Sequence, residues 1–222
     1  MHESLKKLKL IKNKVNEIIN KKQLNINTKI IVLTKKFSLN KIKPLLESGH
    51  IHYGENKIQE AEEKWSGTKD VYSNLKLHMI GKLQTNKAKK AVKLFDYIHS
   101  LDSEKLALKI FQCEKELNKK IKLFIQVNLA SEQQKAGINL NNLNNFYRYC
   151  IEELSLNIIG LMCLPPIDSN PLEYFKILKV NAEKLNLKDL SMGMSSDYEQ
   201  AVLSGSSYLR LGTIILGKRS FI

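Results

Sequence analysis

Two short segments near the C-terminus carry the residue types that hold an anion. In Arg210-Leu-Gly-Thr213 a Gly-Thr pair frees backbone N–H groups and a hydroxyl at the start of a helical turn, a set of dipoles suited to phosphate. Ser191-Met-Gly-Met-Ser195 sets small residues ahead of a second helix, with Ser196 and Glu199 spaced as a capping box. The third candidate is Lys35, at the end of the apolar run Lys29-Ile-Ile-Val-Leu-Thr34. A lysine drawn into such a strand end loses hydration, which favours the neutral amine that attacks aldehydes. Lys36 beside it shows that position, not residue type, singles out Lys35.

These segments need a scaffold that brings residues 35, 191–195 and 210–213 to one place. Apolar, strand-like runs begin at Lys29 and recur at His52-Tyr-Gly54, Leu77–Gly81, Tyr97–Ser100, Lys122–Asn128, Ile158–Cys163, Asp189–Gly193 and Tyr208–Gly212. Helical patterns lie between them, clearest over Ser103–Leu117, Leu140–Leu154 and Leu172–Leu185, with Asp102 or Ser103 as a cap. Strands alternating with amphipathic helices are the signature of a parallel sheet. About eight units of roughly 25 residues fit a (β/α)8 TIM barrel better than an open doubly wound sheet. The expectation is an α/β single domain over residues 1–222, with an extra N-terminal helix at about residues 3–22 packed outside the barrel. His52-Tyr-Gly54 and Tyr97–Ser100 are the least strand-like runs. In a barrel the functional residues collect where strands end: Lys35, Glu55 with Asn56, Gly81, Ser100, Asn128, Cys163, Ser191 with Met192, and Arg210. An aldehyde-reactive amine, a phosphate site and an arginine at one mouth describe pyridoxal 5′-phosphate.

Composition narrows the alternatives. The chain has 222 residues, 36 Lys and Arg against 22 Asp and Glu, and a formal net charge of +14. Such a balance invites a nucleic-acid reading, yet only Arg148, Arg210 and Arg219 are arginine, the residue that suits bidentate recognition. Solvated lysine along helix faces is the expected use of the charge, with no specific nucleic acid as partner. Cys113, Cys150 and Cys163 form no CxxC, which favours a reduced, cytoplasmic setting and no metal site. Nothing in the sequence resembles a signal peptide or a membrane span.

Several strings together resemble the pyridoxal phosphate homeostasis proteins, small single-barrel relatives of alanine racemase with the fold-type-III architecture. They are Leu33-Thr-Lys-Lys-Phe37, Tyr53-Gly-Glu-Asn-Lys-Ile-Gln-Glu60, His78-Met-Ile-Gly-Lys-Leu-Gln-Thr-Asn-Lys87, Gln126-Val-Asn128 with Lys135-Ala-Gly137, Gly160-Leu-Met162, Leu190–Asp197, and Arg210-Leu-Gly-Thr213 with Gly217-Lys-Arg219. The resemblance covers residues 30–219, and the order of these strings is more specific than any one of them. It implies that Lys35 forms the internal aldimine, that Ser195, Gly212 and Thr213 hold the phosphate, and that Arg210 faces the pyridine nitrogen. Asn56 would line the pocket, with Ser191, Met192 and Gly193 in the same wall. It gives His78, Gln84, Asn86 and Lys87 a motif without a derivable role, and Lys135 a place on the rim. Thr34, Phe37 and Ser38 depart from the usual family pattern; Thr34 keeps a hydroxyl, and Ser38 is placed to cap the next helix.

The function implied is binding of pyridoxal 5′-phosphate and its intracellular homeostasis without efficient catalysis, with no catalytic residue assigned. Recipient apo-enzymes are the implied partners, with a monomer or weak dimer and no membrane. The alternative is a racemase or lyase acting in the barrel alone. A Schiff-base aldolase on a sugar phosphate and a nucleic-acid binder are the readings from other classes.

Overall fold

In the computed structural model of the chain, which describes residues 1–130 and 136–217, strands alternate with helices. The strands are β1 (Lys29–Leu33), β2 (His52–Glu55), β3 (Lys76–Met79), β4 (Tyr97–Leu101), β5 (Lys122–Asn128), β6 (Ile138–Asn139), β7 (Ile158–Met162), β8 (Asp189–Ser191) and β9 (Tyr208–Leu211). All pair in parallel, and β1 pairs with both β2 and β9, so the first and last strands close a ring. The ring runs β1-β2-β3-β4-β5-β7-β8-β9, and β6 adds only to the far end of β5. Closure decides for the barrel over the open sheet, and the two weakest strand expectations, at His52 and Tyr97, are both strands of that ring.

Each strand presents one face to the ring's interior and the other to the helices. On β1, Ile31 joins Tyr97, Phe124, Met162 and Tyr208 inside, while Ile30 and Val32 belong to the core under the helices. The helices are α1 (Glu3–Lys21), α2 (Leu39–Glu47), α3 (Ile58–Val71), α4 (Ala88–Leu94), α5 (Glu104–Leu117), α6 (Leu140–Arg148), α7 (Pro171–Lys184), α8 (Tyr198–Leu203) and α9 (Thr213–Leu216). Helix α1 buries Leu8, Ile11 and Val15, one apolar stripe, and packs on α2, α8 and α9, the helices flanking the β1–β9 seam. The N-terminal extension thus braces the closure. No helix among the described residues is long and apolar enough to cross a membrane.

Some local expectations change. Ser103 caps α5 by accepting the Leu106 N–H at 3.4 Å. Ser38 occupies the N-cap position of α2 but makes no side-chain cap bond. The Ser196–Glu199 capping box does not form: Asp197 accepts the Met194 N–H at 2.6 Å, tightening residues 194–197 into a turn, and α8 begins after it. The helix expected to run to Leu154 ends at Arg148 and continues as a wider π turn over Tyr149–Glu153.

Candidate functional site

Lys35 leaves β1 in a turn held from outside the barrel. The Thr34 N–H bonds to the Gly54 carbonyl at 3.0 Å, and its hydroxyl donates to Glu55 Oε1 at 2.6 Å. Lys64 Nζ donates to that carboxylate at 2.8 Å, to Glu60 Oε1 at 3.0 Å and to the Thr34 carbonyl at 2.7 Å. Glu60 also takes the Lys36 N–H, while Lys36 itself sits at φ 63°, the left-handed bend that turns the chain. Trp65 Nε1 adds a third donor to Glu55. Glu55 and Lys64 therefore hold the residue before Lys35, and Glu60, itself paired with Lys64, holds the residue after it.

Arg210 rises from β9 inside the ring and is almost fully buried. Its Nη1 donates to Ser191 Oγ at 2.7 Å and its Nη2 to the Cys163 carbonyl at 2.8 Å, so the ends of β7 and β8 fix both arms of the guanidinium. Above it, Gly212 opens the short α9, and Thr213 Oγ1 donates to Ser195 Oγ at 3.3 Å. Lys35, Ser195, Arg210, Gly212 and Thr213 line one cavity of about 330 Å³, with Leu33, Phe37, Met194 and Ser196. A primary amine, hydroxyls and a guanidinium edge in such a space can hold an aldehyde that also carries an anion.

The other sequence candidates fall around this cavity. Ser191 lies beneath Arg210 as its hydrogen-bond partner, and Met192 is buried in the core under the helices. Gly193 sits at φ 92°, and a Cβ there would come within 2.5 Å of Ala201 Cβ, so it lets α8 pack against the strand. Asn56 lines a neighbouring cavity of about 270 Å³ with Lys82, Gln84 and Lys87. Its backbone touches Gly81, where a Cβ would lie 2.3 Å from the Asn56 carbonyl oxygen. Asn128 and Gly81 line a larger cavity of about 890 Å³ that meets the first at Met194. Lys135, Lys218 and Arg219 lie outside the described residues.

Sequence reasoning missed the clamp of Glu55, Glu60 and Lys64. The i,i+4 spacing of Glu60 and Lys64 on α3 was visible, but nothing local tied it to Thr34. It also left the role of His78 open: the ring is wholly buried inside the barrel, bonded to His52 and His99 at 2.9 Å each. Burial pushes the Cys163 thiol up to about 12 against the pull of nearby Arg210, so it is held as an inert thiol.

A family model described as the alanine racemase N-terminal domain matches residues 8–220. The pyridoxal phosphate homeostasis protein of Aquifex aeolicus is 36% identical over 178 residues, 76% of this chain and 77% of that protein. Its namesake in Synechocystis is 34% identical over 202 residues, 87% of this chain and 92% of that one. Among solved structures, PipY of Synechococcus elongatus with pyridoxal phosphate bound superposes with a TM-score of 0.80 at 32% identity, covering 91% of this chain and all of that one.

Proposed function

The chain belongs to the pyridoxal phosphate homeostasis proteins of the alanine racemase N-terminal-domain family, and from that premise we propose how its cavity holds the cofactor. The protein binds pyridoxal 5′-phosphate and serves its intracellular homeostasis. The carrying observation is the cavity of about 330 Å³ in which Lys35 meets Ser195, Gly212, Thr213 and Arg210. Its donor set fits the group: an amine for the aldehyde end, hydroxyls and early α9 amides for the phosphate, and a charged planar donor between.

When bound, pyridoxal phosphate supplies an aldehyde carbon and a ring that takes up electron density. Lys35 is the covalent anchor, and the clamp of Glu55 and Lys64 on Thr34 keeps its backbone in place. Ser195 and Thr213 hold the phosphate with the Gly212–Thr213 backbone. Arg210 would face the pyridine nitrogen. A guanidinium keeps its proton, so it gives that atom a hydrogen bond and no acid. Asn56, Ser191, Met192 and Gly193 shape the surrounding wall, Met192 and Gly193 through packing.

The same lining supports carriage without efficient turnover. Lys35 and Arg210 are the ionisable groups among the described residues of this cavity, which offers no carboxylate, imidazole or phenol. No partner acid or base of the kind on which racemase chemistry depends, with gains of about 10² to 10⁴, is among those described residues. We further read residues 1–222 as one cytoplasmic domain, a monomer or weak dimer, handing its cofactor to apo-enzymes.

Addition of pyridoxal phosphate to the purified protein should raise a visible absorption band that Lys35→Ala abolishes. No band with the parent protein would overturn the reading. Incubating the loaded protein with L-amino acids should yield no D-enantiomer or keto acid beyond that from free cofactor; turnover well above it would move the assignment to the racemase or lyase class.

A further inference from the structure

A row of histidines crosses the barrel interior and ends on the cofactor cavity's arginine. His52 opens β2, His78 lies in β3 and His99 in β4. His52 Nδ1 meets His78 Nε2 at 2.9 Å, His78 Nδ1 meets His99 Nε2 at 2.9 Å, and His99 Nδ1 meets Ser191 Oγ at 2.8 Å. Ser191 Oγ in turn accepts from Arg210 at 2.7 Å. Aromatic faces fix the ring planes: Tyr97 stacks on His78 at 4.2 Å and Phe124 on His99 at 4.3 Å.

The hydrogens in this row have one consistent sense. Arg210 only donates, so the Ser191 oxygen accepts its N–H and the Ser191 hydroxyl hydrogen is left for His99 Nδ1. His99 then carries its proton on Nε2 and gives it to His78 Nδ1; His78 gives its own Nε2–H to His52 Nδ1. The reverse sense would aim His99 and Arg210 at the same oxygen and turn the buried hydroxyl hydrogen away from both. Each ring has one proton for two bonds, so the sense of any one ring sets the sense of the next.

We propose that His52, His78 and His99 are positioning residues, a tautomer relay that fixes, through Ser191, how Arg210 is presented to the cofactor cavity. The inference rests on the proposed facing of Arg210 and the pyridine nitrogen. Burial keeps His78 and His99 neutral, aided for His78 by its neighbouring histidines and for His99 by the charge of Arg210. At the far end burial, Lys29, Lys76 and Lys12 push His52 down to about 4, against a weaker opposite pull from Asp96. Lys29 also lies over the Tyr208 ring at 4.6 Å, and Lys122 over Tyr97 at 5.3 Å, so cations close this end of the relay. Asp189, from β8, is the acidic group acting on Tyr208 there.

The test has two arms. In ¹⁵N NMR of the protein without cofactor, His78 and His99 should each show an unprotonated Nδ1 and a protonated Nε2, unchanged on acidification to about pH 5.5. A charged ring or the opposite tautomer would overturn the relay. In the second arm His52→Phe, remote from the cavity, should weaken pyridoxal phosphate binding roughly threefold to tenfold and alter its visible band, the scale of one lost hydrogen bond. His52→Asn, whose amide oxygen can take the Nδ1 place, should restore both, and in a Ser191→Ala background His52→Phe should change neither. Equal effects in the two backgrounds, or none in a folded His52→Phe protein, would overturn the proposal. Because the NMR arm needs no cofactor, failure of the parent protein to take up pyridoxal phosphate would sink the functional reading and leave the tautomers to decide the relay.

Discussion

The Thr34 hydroxyl donates a 2.6 Å hydrogen bond to the buried carboxylate of Glu55, one residue before Lys35, the proposed anchor, and across the β1–β2 step. The same carboxylate holds Lys64, whose side chain is only 8% exposed, and Lys64 holds the Thr34 carbonyl. Stability and the placement of Lys35 are therefore tied at one point. Glu55→Gln leaves the buried Lys64 with the partly exposed Glu60, at 3.0 Å, as its remaining charge partner and should cost about 1.5–3 kcal/mol in urea unfolding. Thr34→Val removes one bond and should cost about 1–2 kcal/mol. Both should slow uptake of pyridoxal phosphate by the folded fraction, and a Glu55→Gln protein as stable as the parent would refute the clamp.

Gly81 backs Asn56 so closely that a methyl there would sit 2.3 Å from the Asn56 carbonyl oxygen and 2.7 Å from its Cα. Backbone cannot yield as a side-chain end can. Gly81→Ala should displace the β2–α3 connection and weaken cofactor binding about tenfold or more, with a destabilisation of roughly 1–3 kcal/mol from overpacking. Gly67→Ala, on exposed helix surface with nothing within 4 Å of the added carbon, is the control and should leave binding unchanged. Equal binding by the two variants would show that the Asn56 segment does not shape the pocket.

Acid should unfold this protein early, because its barrel histidines are held neutral. Burial, with Lys12 nearby, pushes His50 down to about 3; burial and Lys29 push His52 down to about 4; His78 and His99 lie well below the usual histidine range. In the unfolded chain each binds a proton near about pH 6.5, while in the folded chain each stays bare until far lower. Between those values the unfolded state holds more protons, so stability falls as pH falls, by about 1.4 kcal/mol per histidine per pH unit. Burial raises the Asp102 carboxyl, which opposes the trend with a single group at lower pH. Urea midpoints measured at about pH 7.5, 6 and 5 should drop steeply over the last interval; flat midpoints would mean that the histidines charge freely in the folded state.

Arg210→Lys keeps the charge and loses the planar fork. One ammonium cannot reproduce the directions of both the Ser191 and the Cys163 bonds, at 2.7 and 2.8 Å. The variant should lose about 1.5–3 kcal/mol of stability and bind cofactor with a shifted visible band. An unchanged spectrum would separate Arg210 from the cofactor ring.

Much of the architecture was legible because the signals were local. The apolar run before Lys35, the small residues at 191–195 and the Gly-Thr pair after Arg210 each marked a strand end, and a closed parallel ring brings Lys35, Ser195, Gly212 and Thr213 to one cavity. Asn56 and Ser191 were reached as strand ends, with the resemblance adding their place in the pocket wall, and they lie beside and beneath that cavity. What stayed hidden depends on contacts far apart in sequence. Glu55 meets Thr34 at a separation of 21 residues, and His99 meets Ser191 at 92. The histidines sit in strands alternating with ordinary core residues, and no spacing rule reveals that three such rings will face one another inside a barrel. The capping box at Ser196 failed for a related reason, since a turn closed by Asp197 competed for the same backbone.

The central claim is that Lys35 carries the cofactor. Borohydride reduction of the protein after incubation with pyridoxal phosphate, followed by proteolysis and mass mapping, tests it directly. The account predicts the pyridoxyl group on Lys35, with Lys36 in the same peptide unmodified. Label on Lys36 or spread over surface lysines at similar yield, with Lys35 bare, would contradict it.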